Sequence, residues 1–156
     1  MNLTPAQSDF LQRYRDSTEM IDGAQMPGVV AECFGDRPVL IDECARLIHA
    51  GIKRASCSWL AVYRAGQQPL PEVGQLTIVL DSAELPVCII RLTAIDICRF
   101  DDVSPEFATL EGEGDGSYSW WHREHLRFFR RQAAELNIAF TGDAELLLEY
   151  FEKVFP

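Results

Sequence analysis

The chain has 156 residues, 47% of them apolar and 10% aromatic, and its 24 acidic and 14 basic residues give a formal charge of −10. This composition excludes general disorder, and no apolar run approaches the roughly 18 to 20 residues of a membrane-spanning helix. The five cysteines are scattered without a C-x-x-C pair, which argues against a disulfide framework or a zinc ribbon. We therefore expect one domain over 1–156, located in the cytoplasm, with no signal peptide, no cofactor and no metal.

The first predicted element is a helix over about residues 4–17. Thr4 can cap it, Pro5 suits the first helical position, and Gln7 completes a capping box. A loop should follow and lead into the motif-bearing core at about 28–156.

A second helix is predicted near 38–50, where apolar residues recur at helical spacing. Gly51 should end it in a left-handed conformation. Lys53 and Ser56 are therefore expected in the exit loop or in the strand that follows.

This exit lies in a basic window of an acidic chain. No carboxylate occurs between Glu43 and Glu72, whereas four Lys or Arg residues do. Lys53 and Ser56 can be a surface lysine and a turn serine, or a phosphate-binding pair, or a lysine base beside a serine nucleophile. Cys57 is interpreted as a packed thiol, because no histidine is close in sequence to activate it.

Two adjacent strands are predicted at 75–81 and 86–97 from their β-branched residues. Ser104 and Pro105 should start a short helix through Leu110. Strands mixed with and then followed by helices favour an α+β domain.

A longer helix should run from Ser119 to about 135, with Trp121, Phe128 and Phe129 toward the core. The segment from Leu146 to Phe155 has the spacing of a helix and the composition of a strand, and the pattern alone leaves both open.

The acidic run from Glu111 to Gly116 allows several interpretations. It can be a flexible turn, or a calcium loop that lacks its twelfth ligand, since His122 stands there. Alternatively, Glu111 follows a helix end and pairs with Lys53 as an acid/base partner. His122 and His125 could reach one metal, although a helix-surface pair fits better without a third ligand.

Three arginines are candidates for ligand binding. Arg91 interrupts an apolar strand, so it either faces outward or points into a ligand cavity. Arg123 and Arg127 form either a solvated helix face or, together with Trp120, an RNA-facing surface.

An ordered series of motifs resembles the ASCH domain family of the PUA-like superfamily, whose members are small RNA-associated β-barrels. The series includes Phe34-Gly35-Asp36, Gly51-x-Lys53-x-Ala55-Ser56, Leu70-Pro71-x-Val73-Gly74, Ile89-Ile90-Arg91 and Glu111-Gly112-Glu113-Gly114-Asp115. The resemblance implies an α+β fold, a small PUA-like mixed β-barrel flanked by helices, with 147–155 as the closing strand. Arg54 and Ser56 stand where many longer relatives have Thr.

The family includes nucleic-acid-binding proteins, reported ribonucleases and amide hydrolases acting on N4-acetylcytidine. In the hydrolases a Lys, a Thr and a Glu form the proposed catalytic group, and by motif position these fall on Lys53, Ser56 and Glu111. Our first hypothesis is an RNA- or nucleotide-binding protein that cleaves single-stranded RNA. Its predicted catalytic residues are Lys53, Ser56, Glu111 and Tyr63, and its predicted ligand-binding residues are Arg54, Ser58, Arg91, Arg123 and Arg127.

Two alternatives remain. One is an amide hydrolase acting on N4-acetylcytidine or a related acylated nucleoside, with Ser56 as nucleophile and Lys53 as base. The other is an RNA-binding module without catalysis. A modified nucleoside or single-stranded RNA is the expected partner, and the sequence does not determine the oligomeric state.

Overall fold

The computed structural model describes residues 2–18 and 28–156. Its helices are α1 (Pro5–Ser17), α2 (Pro38–His49), α3 (Leu60–Ala65), α4 (Pro105–Glu111) and α5 (Tyr118–Leu136), with a 3₁₀ turn at Phe100–Asp102. Its strands are β1 (Val29–Cys33), β2 (Ala55–Trp59), β3 (Leu76–Leu80), β4 (Pro86–Arg99) and β5 (Glu145–Phe155). Within the described ranges, no helix is long and apolar enough to cross a membrane.

The strands form one mixed sheet in the order β1-β3-β4-β5-β2. β1 pairs with β3 in parallel, whereas β3 pairs with β4, and β2 with β5, in antiparallel fashion. The chain divides into two compact units that interleave along the sequence: Met1–Ile52, Glu72–Thr93 and Phe151–Pro156 make the first, and Lys53–Pro71 and Ala94–Tyr150 make the second. The expectation of a single domain stays a prediction.

The first unit contains α1 in the predicted place. The Thr4 hydroxyl accepts a hydrogen bond from the Gln7 backbone N–H, and the Gln7 side chain accepts one from the Thr4 backbone N–H, so the capping box is confirmed. Leu11 and Tyr14 are buried against the apolar side chains of β3. Burial of this apolar face stabilises a helix that would be marginal in isolation.

Helix α2 ends as predicted. Gly51 adopts a φ of 77°, a conformation that costs a residue with a side chain about 1–2 kcal/mol, and the backbone then turns toward β2. The loop-to-strand position expected for Lys53 and Ser56 is confirmed, since Lys53 precedes β2 and Ser56 lies in it.

The second unit has an aromatic core between β2, α4 and α5. Trp59 from β2, Phe107 from α4, and Trp121 and Phe129 from α5 are all buried in it. Because α4 and α5 pack on the same core, the end of α4 lies close to β2 and to α5, and His125 of α5 approaches Cys57 of β2. This packing positions the site described below.

Two segments show where the sequence pattern was insufficient. Residues 60–65 form α3, a short helix that the pattern did not predict. The last segment forms β5, whose register against β2 runs from Ala55 opposite Tyr150 to Trp59 opposite Leu146. The closing strand implied by the family resemblance is thus confirmed over the helical spacing.

Candidate functional site

The second unit places Lys53 beside the end of α4 through a backbone contact. The Arg54 N–H donates to the Leu110 carbonyl oxygen at 2.7 Å. Leu110 precedes Glu111, the last residue of α4, so this bond sets the two neighbouring side chains against each other. This main-chain hydrogen bond therefore holds the backbone of Lys53 close to the backbone of Glu111.

The Lys53 ammonium lies between two carboxylates. Its Nζ is 3.1 Å from Glu111 Oε1 and 3.0 Å from Glu113 Oε2. The side chains of Lys53 and Glu111 are 2% and 1% exposed, so this is a buried ion pair that must offset the cost of removing both charges from water. The predicted pairing of Lys53 with Glu111 is present, while its catalytic role stays a prediction.

The second oxygen of Glu111 is held from α5 and β2. The Trp121 indole N–H donates to Oε2, and His125 Nε2 lies 3.0 Å from the same atom. Cys57 Sγ is 3.6 Å away. Trp121 and His125 are four residues apart on α5, so their rings share one face and stack with centroids 4.5 Å apart.

The electrostatics of this cluster favour an ionised Glu111. Burial by itself would raise the pKa of its carboxyl, but Lys53, His125 and the Trp121 N–H outweigh burial and hold the pKa well below its usual range. Conversely, burial would lower the pKa of His125, but the Glu111 carboxylate outweighs it and the pKa is raised. Burial, and after it Glu111, raise the pKa of the Cys57 thiol, which argues against a thiolate nucleophile.

The glycines after α4 aim Glu113 at Lys53. Gly112, Gly114 and Gly116 have φ values of 66°, 61° and 77°, which favour residues without a side chain. A side chain on Gly114 would also overlap the Trp120 ring. The acidic run is therefore a shaped loop that delivers a second carboxylate to the lysine.

Cys57, Glu111 and His125 offer three donor atoms within 4.8 Å of one another, a spacing that a metal ion could bridge. Both Glu111 oxygens, however, already accept N–H bonds, one of them from the Lys53 ammonium. A cation would have to displace the Trp121 indole and would lie close to that positive charge. The donors in this arrangement do not fit a metal ion, and the sequence expectation of no metal stays a prediction.

Three further predicted residues lie nearby in the sequence: Ser56 and Tyr63, predicted for catalysis, and Ser58, predicted for ligand binding. Ser56 and Ser58 alternate along β2 with Ala55, Cys57 and Trp59, which face the aromatic core. Successive side chains of a strand point to opposite faces, so both serines leave β2 on the side opposite the Cys57 thiol. Tyr63 lies half-buried on α3.

The predicted arginines fall into three settings. Arg54 is exposed next to the buried Lys53. Arg123 and Arg127 are exposed on α5 and both contact Glu124 Oε1, at 3.3 and 3.2 Å.

Arg91 belongs to the first unit. It contacts Glu152 at 3.3 Å and donates to the Tyr14 hydroxyl at 3.0 Å. This gives Arg91 a structural partner within its own unit.

Sequence reasoning missed the contributions of α5 and of Glu113. His125 was weighed as a metal ligand beside His122, and Trp121 as a core residue, whereas both contact Glu111. The available signal was their four-residue spacing, which puts both rings on one helix face. This spacing does not indicate that the two rings would contact the carboxylate of Glu111.

A mixed sheet flanked by helices, with a buried lysine–carboxylate cluster at the start of an edge strand, defines a small PUA-like domain. The family model of the ASCH domain matches residues 30–155, and the chain belongs to this family. The predicted fold class, a small PUA-like mixed β-barrel flanked by helices, is thereby confirmed.

Solved structures support the same assignment. The chain is similar to the crystal structure of an ASCH domain from Lactobacillus crispatus JV V101, with 35% identity and a TM-score of 0.95, covering 100% of this chain and 98% of that one. It is also similar to a protein from Enterococcus faecalis V583, with 34% identity and a TM-score of 0.82, covering 95% and 87% of the two chains. No curated protein sequence gives a significant match.

Proposed function

We propose that this protein hydrolyses the amide of a small acylated nucleoside of the N4-acetylcytidine class, with Lys53 and Glu111 at the reacting centre. The observation that carries the proposal is the pairing of the buried Lys53 ammonium with two carboxylates, Glu111 and Glu113. Such a cluster offers hydrogen-bond donors and acceptors to a substrate without presenting a large net charge.

The same charges disfavour a phosphodiester at Lys53. A phosphodiester anion that reached the ammonium would also approach the Glu111 and Glu113 carboxylates. Attraction to the ammonium offsets one of these two repulsions, and the other remains: two like unit charges about 4 Å apart repel by about 4 kcal/mol at an effective dielectric constant of about 20. An uncharged amide avoids this repulsion, so the geometry supports amide hydrolysis over cleavage of RNA at this atom.

The reaction requires stabilisation of an oxyanion and protonation of an amine. When a hydroxyl group adds to the acyl carbon, the carbonyl oxygen becomes negative, and the Lys53 ammonium can donate a hydrogen bond to it. The carbon–nitrogen bond then breaks, and the exocyclic nitrogen takes up the proton that the attacking hydroxyl group releases. Attack by water gives cytidine and acetate directly, whereas attack by Ser56 gives cytidine and an acyl-serine that water then hydrolyses to acetate. Glu111 keeps the ammonium oriented during both steps.

Release of cytidine from N4-acetylcytidine, followed by chromatography, tests the proposal. Wild type should release cytidine, and Glu111→Gln should be slower by about 10²-fold or more, since the ammonium loses its charged partner. Arg46→Met, on the exposed side of α2, is the matched surface control and should match wild type. No release above the uncatalysed background by wild type refutes the proposal.

Ser56 leaves β2 on the face opposite Cys57, which contacts Glu111, so we expect water to supply the attacking hydroxyl group, and one pair of variants tests this against attack by Ser56. Ser58→Ala controls for Ser56→Ala, because both side chains leave β2 on the same face. Loss of activity in Ser56→Ala alone assigns the attack to Ser56 and predicts a covalent acyl-enzyme. Equal activity of the two variants assigns it to water.

A second candidate function is binding of single-stranded RNA, favoured by the exposed Arg54 beside the site. Arg123 and Arg127 supply further exposed cations, although Glu124 partly neutralises them. Fluorescence anisotropy with a short labelled oligonucleotide should show an affinity that falls steeply as the salt concentration rises. In Arg54→Ala, the affinity should depend less steeply on the salt concentration. Affinity that is independent of salt would contradict this candidate.

A further inference from the structure

His125 is a titratable member of the buried cluster that the proposed hydrolysis does not use. Its side chain is 12% exposed and its ring stacks on Trp121. The ring Nδ1 lies 2.8 Å from the Trp121 backbone carbonyl oxygen, and Nε2 lies 3.0 Å from Glu111 Oε2. Each ring nitrogen therefore faces an oxygen atom at hydrogen-bond distance.

These two contacts determine where the ring protons must be. A carbonyl oxygen can only accept, so Nδ1 must carry a proton. A neutral ring would then present the lone pair of Nε2 to Glu111 Oε2, which places two acceptors 3.0 Å apart. A second proton, on Nε2, converts this repulsion into a charge-assisted hydrogen bond.

The proton between Nε2 and Oε2 belongs to the histidine and not to Glu111. Glu111 accepts from the Lys53 ammonium on Oε1 and from the Trp121 indole on Oε2, which is the pattern of a carboxylate with both oxygens accepting. A protonated Glu111 would also leave the buried Lys53 charge facing a neutral group. Consistently, the pKa of His125 is raised by Glu111 and that of Glu111 is lowered by Lys53 and His125, against the effect of burial on each.

We propose that His125 is doubly protonated in the resting site and acts as a positioning residue. Its Nε2–H donates a hydrogen bond to Glu111 Oε2, while the Lys53 ammonium donates one to Oε1. The proposal rests on the proposed hydrolysis for its catalytic consequence. The positive charges of Lys53 and His125 then balance the negative charges of Glu111 and Glu113. A cluster with no net charge suits an uncharged substrate. Loss of the Nε2 proton leaves Oε2 facing a lone pair, so Glu111 shifts and the Lys53 ammonium loses its alignment.

The groups that face the His125 ring come from several elements. They are Glu111 from α4, Glu113 from the following loop, Lys53 from the loop before β2, and Cys57 from β2. Burial and Lys53 oppose the imidazolium, but Glu111 and Glu113 outweigh them and raise the pKa of His125 above the ordinary value of about 6.5. Activity should therefore fall on the alkaline side, by about tenfold per pH unit once the pH exceeds the raised pKa of His125.

Nitrogen-15 nuclear magnetic resonance of the histidine rings tests the protonation directly. At pH 6, both ring nitrogens of His125 should be protonated, and the titration midpoint should lie above that of a free histidine. His125→Gln assigns the resonances. A neutral ring at pH 6, or a stoichiometric metal ion that a chelator removes with a change in these resonances, overturns the proposal.

Three variants test the positioning role. His125→Gln retains a neutral N–H donor that does not titrate, so its rate of cytidine release should stay flat where wild type declines. His125→Phe keeps the stacked ring without a donor and should be slower at every pH, by about 10²-fold. His122→Gln, on the same helix and packed on Phe100, is the control and should keep the wild-type pH profile.

The outcomes separate this inference from the function on which it rests. The resonance measurement needs no turnover, so a neutral ring in an active enzyme refutes the inference alone. A doubly protonated ring with the same alkaline decline in wild type and His125→Gln refutes the positioning role. A wild type that releases no cytidine refutes the hydrolysis, and the positioning role with it, while the doubly protonated ring still stands on the resonances.

Discussion

Replacing Lys53 by Met should destabilise the protein strongly. The change keeps the length and apolar stem of the side chain but removes an ammonium that is 2% exposed and bonded to Glu111 and Glu113. Breaking a buried ion pair from one side costs about 3–5 kcal/mol, because the remaining charge stays buried. Glu111 keeps its bonds from Trp121 and His125, and Glu113 is closer to solvent, so the lower end of this range is expected.

Urea unfolding followed by circular dichroism at pH 7 measures this cost. Thermal unfolding is a second measurement: for a chain of this size, a loss of about 3 kcal/mol corresponds to a fall in melting temperature of roughly 6–12 °C. Arg46→Met removes a cation from an exposed pair with Glu43 and should leave the unfolding midpoint nearly unchanged. The double variant Lys53→Met/Glu111→Gln should lose less stability than the sum of its parts, since neither charge is then left alone.

One result would refute this reasoning. If Lys53→Met shifts the urea midpoint no more than Arg46→Met does, the lysine is not held in a buried pair. The activity of both variants should be compared in the same preparations, because a folded but inactive Lys53→Met separates the chemical role of the ammonium from its contribution to stability.

Three further predictions concern the same unit. The lowered pKa of Glu111 stabilises the fold above about pH 4.3, and this stability is lost as the pH falls through the pKa of the folded state. Between pH 5 and pH 3, Glu111→Gln should therefore lose less free energy of unfolding than wild type. Urea midpoints measured over this pH range test the prediction. Gly114→Ala should lower the melting temperature more than Gly116→Ala, because both residues have positive φ but only Gly114 lies against a tryptophan ring; equal losses would contradict this. Cys57, whose pKa burial raises well above its usual range, should react with iodoacetamide more slowly than Cys98 in peptide mass spectrometry of the native protein, and equal rates would count against the buried site.

Local signals in the sequence predicted much of the fold. The capping box at Thr4, the terminal glycine at Gly51 and the Ser104-Pro105 helix start each depend on neighbouring residues, and all three occur in the structure. The pairing of Lys53 with Glu111 was also anticipated, because an acid-free basic window needed a partner and the family motif supplied one.

The remaining features depend on packing that a linear pattern does not contain. Leu146, Leu147 and Leu148 in β5 are all buried, so the strand lacks the alternation that identifies a half-exposed strand, and its spacing suggested a helix. Similarly, the approach of His125 to Glu111 depends on how α5 packs against α4 within the aromatic core. Neither residue type nor spacing specifies that contact.

The backbone bond from Arg54 to Leu110 has a consequence for how this family can diversify. Since the main chain of residue 54, and not its side chain, fixes the distance between Lys53 and Glu111, almost any side chain can be tried at position 54 without disturbing the buried cluster. Position 54 is exposed next to the buried cluster, so its side chain can change what approaches the site without changing the site itself. Saturation mutagenesis at this single position would therefore be an economical route to relatives with the same chemistry and different ligands.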